Sequence, residues 1–263
     1  MPEYYVVPTS ALTATADAIK EKTGSSEAIE FTQDGFKDAI DGIGTISLRD
    51  ELLGYTPSGE VYWKPTQNIP VNGICFKRGM SKLTLDFSDA YGFTASNANS
   101  YSFRGCSIPV VVIDGGSRGV HLYSYTFIDC TSSFIIVCKG KITLQNQNVF
   151  RQNSGLTLLD FTYTSGNGLL TNSFYADSKL ATLVLRSSAV IPLGSPTGAF
   201  NNTPFASGKA GGTIYVPSDL ISSYQSATNW STILSYGDGT QNKILPIEGS
   251  IYETQYADGT PIT

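Results

Sequence analysis

Six aspartates, Asp86, Asp89, Asp114, Asp129, Asp160 and Asp177, carry the most obvious potential for chemistry in this chain. Two carboxyl groups set a few ångströms apart can hydrolyse a glycosidic bond, one as acid and the other as nucleophile or base. The spacing gives no obvious pair on one strand face, and Asp129 and Asp177 fall in turns between repeats, where Asp caps backbone amides. The only histidine, His121 in Gly119-Val-His-Leu122, has no Gly-x-Ser-x-Gly turn nearby, so an ordinary strand or loop residue is expected rather than a triad base. Gly115-Gly116-Ser-Arg-Gly119 lacks the Lys-Ser/Thr ending and following helix of a phosphate loop and reads as a turn. Cys75, Cys106, Cys130 and Cys138 form no CxxC pair, and a lone histidine supports no His-rich metal site. Cys106 and Cys130 read as small buried hydrophobes. No cofactor is implied. The better candidates are tyrosines near the repeat edges, Tyr101, Tyr123, Tyr125, Tyr163 and Tyr175. Each offers a flat apolar face and a hydroxyl suited to sugar or protein recognition, although Tyr is as often a core residue.

The bulk composition points the same way. The 263 residues suffice for a sizeable core and one or two domains. Charged residues make up only 15% and aromatics 11%, a profile of β-rich extracellular or particle-borne proteins. A net charge of −5 with no basic run argues against nucleic acid and against an anionic membrane surface. No stretch approaches the roughly 18 apolar residues of a membrane span, so no insertion is expected. Met-Pro-Glu-Tyr-Tyr lacks the basic and apolar regions of a secretory signal, which predicts either assembly in a cytoplasm, the simpler expectation, or a signal already removed.

The elements that must position these side chains repeat. Aligned on an aromatic, the chain reads Ser102-Phe103-Arg-Gly-Cys106, Thr126-Phe127-Ile-Asp-Cys130, Val149-Phe150-Arg-Gln-Asn153, Ser173-Phe174-Tyr-Ala-Asp177 and, more loosely, Ala199-Phe200-Asn-Asn202. The phenylalanines are 24, 23, 24 and 26 residues apart. An apolar strand follows each of the first four: Val110–Ile113, Phe134–Val137, Leu156–Leu159 and Leu180–Leu185. A period in the twenties with one strand per unit predicts a solenoid whose strands stack as a parallel sheet, with the Phe of each unit in the shared core. Leu156, Leu159 and Phe161 match Leu180, Leu183 and Leu185 as inward positions. The outward positions then include Ile135, Val137, Leu158 and Val184, a row too apolar for a solvated face. Either another chain or another segment of this one must cover it.

The flanks differ. Leu12, Ala16 and Ile19 predict a first helix, and Phe36, Ile40 and Ile43 a second, stapled by Phe31 and Phe36 and capped by Thr32. Both are too short to be stable alone in water. Leu48, Leu52 and Leu53 hint at a brief helix, 54–59 at a turn and Glu60-Val-Tyr-Trp63 at a strand. At the other end, Ser218 is expected to cap a short helix bearing Leu220, Ile221 and Tyr224, followed by Trp230, laid across the open end of the solenoid. Lys243–Glu248 and a possible strand at Ser250–Tyr256 follow. The boundaries are 1–44, an N-terminal helical attachment segment; 45–80, transitional; 81–217, the solenoid; and 218–263, the C-terminal cap and tail.

Two patterns resemble known families. The Phe-x-x-Cys-x-x-Leu-x-x-Leu repeat, ending in Tyr215-Val-Pro217, Tyr224, Trp230 and Leu245-Pro-Ile247, resembles the BspA-like leucine-rich repeats of bacterial surface proteins, with Asn153 and Asp177 standing where the family has Cys. The implied fold is mainly β, a leucine-rich-repeat-type β-solenoid with repeats of about 24 residues. The run Leu12-Thr-Ala-Thr-Ala-Asp-Ala-Ile-Lys-Glu-Lys-Thr-Gly24, with Ile29-Glu-Phe31 and Gly35-Phe36-Lys-Asp-Ala-Ile40, is similar to a segment opening many tail and baseplate-associated proteins of phages of Gram-positive hosts. That resemblance implies a virion protein whose N-terminal part docks to other tail or baseplate proteins and whose distal part meets a host-surface glycan or protein. By the same analogy, and from the outward apolar row, the chain is expected to pack against its own copies, a homotrimer being favoured. A BspA-type adhesin and a glycan-cleaving tail protein are the alternatives.

Overall fold

The computed structural model describes residues 59–65, 68–69, 80–88, 92–93, 103–236 and 241–262, all within one compact unit, Ser47–Thr263. The expected N-terminal helices, the brief helix near Leu52, Cys75, Asp89 and Tyr101 lie outside these residues.

The described residues form a parallel β-solenoid. Its strands in chain order are β1 (Gly59–Trp63), β2 (Met80–Asp86), β3 (Phe103–Arg104), β4 (Val110–Asp114), β5 (Val120–Leu122), β6 (Phe127–Ile128), β7 (Phe134–Leu144), β8 (Leu156–Gly166), β9 (Thr182–Leu185), β10 (Thr213–Val216) and β11 (Lys243–Pro246). The main sheet runs β1-β2-β4-β7-β8-β9-β10-β11, every neighbouring pair parallel. Leu159 pairs with Leu183 and Phe161 with Leu185, and all four are fully buried. Because the pairing is in register, like positions stack on like, about 4.8 Å apart. The sheet extends beyond the repeat at both ends: β1 precedes the first recognisable unit, and β11 lies past the last.

The coil that carries β4 also holds β3 and β5, and the coil that carries β7 also holds β6. β7 and β8 are 11 residues long and turn a corner, so the first half of β7 pairs with β4 and the second half with β5. The pairing of β7 with β8 shifts between Cys138 and Ile142. Gly140 makes the corner possible: its φ is +65°, and a Cβ there would sit 2.5 Å from the Gly116 nitrogen, which no side chain survives. The 115–119 stretch is the turn its composition predicts, with Asp114 accepting from the Gly116 N–H at 2.9 Å.

Opposite the main sheet the repeat phenylalanines form a column. Phe103, Phe127, Phe150, Phe174 and Phe200 are each fully buried. Successive rings lie 4.4, 5.8, 5.5 and 5.2 Å apart and within 24° of parallel. A short helix, α1 (Pro196–Ala199), precedes the last of them. The column ends on Phe205 and Trp230.

The cap is built from a 3-10 turn (Ser218–Leu220), α2 (Ile221–Ser226) and α3 (Trp230–Ser235). Ser218 does not cap it with its side chain; its N–H instead donates to the Glu248 carboxylate at 2.9 Å. The cap is fixed from within. Ile191 N–H donates to the Tyr224 hydroxyl at 3.1 Å, and Trp230 Nε1 donates to the Ile191 carbonyl at 2.7 Å. Two large rings thereby satisfy both polar groups of one buried residue, as buried backbone requires. These helices close the aromatic column rather than the sheet, whose last strand, β11, lies beyond them in the chain.

Candidate functional site

The outward face of the main sheet is where sequence reasoning places Ile135, Val137, Leu158 and Val184. Val137 and Val184 are fully buried within the single chain, and Ile135 and Leu158 half-buried. The cover comes from the C-terminal segment 247–262, which does not form the strand expected at Ser250–Tyr256. It is a series of turns with one antiparallel bridge, Gln255 to Pro261, crossing the strands as a strap. Tyr252 packs on Tyr215 of β10, ring centroids 4.9 Å apart. Arg186, just past β9, donates to the Tyr252 and Gln255 carbonyls at 2.8 and 3.0 Å. The same guanidinium grips Asp160 of β8 through two bonds of 2.6 and 3.0 Å, and Asp160 also accepts from the Ala257 N–H at 2.8 Å. Asp258 then pairs with Lys82 of β2 at 2.9 Å and Lys139 of β7 at 3.4 Å. Tyr256 lies under both Lys139 and Arg186, at 4.6 and 4.9 Å. Asp160, paired in register between Val137 and Val184, is thus an anchor for the strap. Burial pushes its carboxyl up, against the pull of Arg186 and the Ala257 N–H.

The second face, formed by β5 and the distal halves of β7 and β8, is different in character. His121, Thr143 and Ser165 occupy one register row. Tyr123, Gln145 and Asn167 stand one residue past the row that joins Leu122, Leu144 and Gly166. The side chains are tied across the coils: Gln145 Nε2 meets His121 Nδ1 at 2.5 Å, Asn167 Nδ2 donates to the Gln145 carbonyl at 2.6 Å, and the Thr143 and Ser165 hydroxyls lie 3.1 Å apart. The His121 and Tyr123 rings lie 20° from parallel with centroids 6.4 Å apart. Nearby Tyr163 donates its hydroxyl to the Gly166 carbonyl at 2.7 Å. Burial raises both the Tyr123 and Tyr163 phenols, so each stays a neutral hydroxyl. The result is a pre-ordered array of rings, amides and hydroxyls.

The remaining tyrosines sit elsewhere. Tyr125 is in the turn before Phe127 with φ of +59°, and Tyr175 follows Phe174 with the Arg151 guanidinium 4.9 Å above its ring. The structure therefore brings Tyr123 and Tyr163 to one face and leaves Tyr125 and Tyr175 on the aromatic-column side. Sequence reasoning named the tyrosines of that face but not its His121, Gln145 and Asn167, which only the strand register aligns.

The acids are mostly spoken for. Asp86 and Asp114 stand in register on β2 and β4, a juxtaposition the sequence spacing did not reveal. Each accepts the N–H two residues ahead, of Ser88 and Gly116. Burial pushes the Asp86 carboxyl up, but bonds from the Tyr62 hydroxyl and Ser88 outweigh it and hold the group below the usual range. That is the behaviour of turn caps; an acid catalyst needs a raised value. Asp129 is exposed in a surface pair with Arg104 at 3.4 Å. Cys106, Cys130 and Cys138 are free and buried. Among the described residues no group of three or more His, Cys, Asp or Glu is placed to hold a metal ion, and no helix is long and apolar enough to cross a membrane. An open groove lined by Ser178, Asn202, Thr203, Pro204, Lys209 and Ala210 carries no carboxylate. No family model, curated protein or solved structure matches this chain.

Proposed function

We propose that this chain is a non-catalytic structural protein of a phage virion, part of the tail tip, baseplate or a tail fibre. Its N-terminal segment attaches it to other tail proteins, and its solenoid contacts the host surface or neighbouring subunits. One observation supports this reading above the others: the chain covers most of the apolar side of its own sheet and leaves the array around His121, Tyr123, Gln145 and Asn167 as a hydrogen-bonding surface. Such a surface suits a neutral glycan or a protein partner, because flat rings and pre-aimed amides bind without losing conformational freedom. The N-terminal resemblance to tail-associated proteins supplies the particle. Copies of the chain meet through Ile135 and Leu158, the half-buried remainder of the apolar row, with a trimer as the favoured assembly.

Negative-stain microscopy of particles labelled with an antibody to this chain tests the reading. Label at the tail tip or baseplate is expected; its absence from particles, with the protein found in the cell envelope, would move the chain to the BspA-type adhesins. Release of reducing sugars from host wall polysaccharide, abolished by one Asp substitution, would replace both readings with a hydrolase. A stable monomer by analytical ultracentrifugation would remove the trimer.

A further inference from the structure

Three residues after each column phenylalanine the chain points a side chain into the core: Cys106, Cys130, Asn153, Asp177 and Thr203, all buried. The central member, Asn153, shows how this position works. Asn153 Oδ1 accepts from the Cys130 N–H of the preceding coil at 3.1 Å, while its Nδ2 donates to the Phe150, Phe127 and Arg151 carbonyls at 2.6, 3.2 and 3.3 Å. The carboxamide takes an amide proton from one coil and returns its own protons to carbonyls on two. Asn242 repeats the device at the C-terminal end, accepting from the Gly212 N–H at 2.9 Å and donating to the Phe205 and Ile233 carbonyls at 2.9 and 2.8 Å.

Asp177 occupies the same slot one coil on. Its Oδ1 accepts from the Asn153 N–H at 2.6 Å, as a carboxamide oxygen would. Its Oδ2 is the repeat counterpart of the Asn153 donor nitrogen, is fully buried, and has no hydrogen-bond partner. By the repeat, the groups waiting there are the Phe174 and Phe150 carbonyls, which are acceptors. An ionised carboxylate would set a negative oxygen against carbonyl oxygens in a dry site, which is costly. The charged groups around the slot give it no relief. Arg151, on the coil below, lies over Tyr175; Lys179 in the same turn is exposed, and so is Lys209 across the neighbouring groove. Among the described residues no cation forms an ion pair with Asp177.

We propose that Asp177 is held as the neutral acid in the folded solenoid, donating its own proton from Oδ2 to the Phe174 or Phe150 carbonyl, so that one proton is a structural part of the core. Burial acts in the same direction, pushing the carboxyl well above its usual value against the Asn153 N–H. The linkage has a definite sign. The unfolded chain ionises Asp177 near pH 4, whereas the folded chain keeps the proton. The contribution to stability is therefore complete below about pH 4 and is lost as pH rises through the folded value, with a limiting slope of about tenfold in the unfolding equilibrium constant per pH unit. The proton stiffens the middle of the stack under mild acid and weakens its hold toward neutrality.

Asp177→Asn is the test, because Asn153 demonstrates that the slot accepts a carboxamide. The variant is expected to unfold with a smaller equilibrium constant than the parent at neutral pH, and the ratio of the two constants should shrink on acidification toward pH 4. A ratio that does not change with pH would overturn the proposal. A second measurement needs no variant: carboxyl-carbon NMR of isotopically labelled protein should show Asp177 still unionised above about pH 4, where an ordinary aspartate has ionised, and a signal that titrates near pH 4 would equally overturn it.

Discussion

Residue by residue, the solenoid depends on backbone conformations that side-chain pattern alone does not announce. Two positions after each column phenylalanine the chain is left-handed: Gly105, Asp129, Gln152, Ala176 and Asn202 have φ of +64°, +58°, +62°, +64° and +59°. Gly, Asp and Asn are ordinary occupants of that region; Gln and Ala are not. These left-handed positions were accordingly invisible in the sequence, where the five share no residue type. Ala176→Gly should raise stability by about 0.5–1 kcal/mol, strain relief outweighing the entropy a glycine adds to the unfolded chain. Chemical denaturation measures it, and a loss of stability would mean the strain is absent. Asp258 gives the opposite pH response to Asp177. Burial pushes its carboxyl up, but Thr260, Lys82 and Lys139 together hold it below the usual range. A depressed folded value makes its contribution present above about pH 4 and lost as pH falls through that value. Asp258→Asn should therefore destabilise the protein at pH 7 and have a smaller effect at pH 3, as thermal melts at the two pH values would record.

The elements were legible where they rest on local periodicity and illegible where they rest on distant partners. The phenylalanine spacing announced the column and the strands that follow it, because each unit repeats the same burial. Phe150, in the middle of that column, has a ring on either side at 5.8 and 5.5 Å, so Phe150→Ala should cost about 3–5 kcal/mol through the cavity it leaves. The strap was read as a strand because Ser250–Tyr256 has β-like composition. Its backbone instead bonds Arg186, 66 and 69 residues away, and Asp160, 97 residues away, and no local pattern encodes such partners. Removing residues 250–262 should uncover Val137 and Val184 and increase both the binding of an apolar-sensitive dye and self-association in sedimentation. Unchanged values in both would show that the strap is not what buries them.

Across the whole molecule, coil stacks on coil, and stability in such a stack is a sum of neighbour terms. The strap departs from that scheme by joining β2, β7, β8, β10 and the residue after β9 through side chains and backbone of one short segment. The repeat told the period and direction of the coils. It did not tell where the sheet begins, since β1 lies upstream of the first recognisable unit, nor that β7 and β8 turn a corner and so present a second face with β5. That face needed the register of β5, β7 and β8 to assemble His121, Gln145 and Asn167 from three coils.

The strap also imposes a timetable on biosynthesis. Segment 247–262 leaves the ribosome after every strand it crosses, at roughly 5–20 residues per second. Until then the outward valines of a growing chain have no cover of their own, and nascent chains on one message carry the same bare face side by side. Whichever arrives first, the chain's own end or a neighbour, decides whether each copy closes on itself.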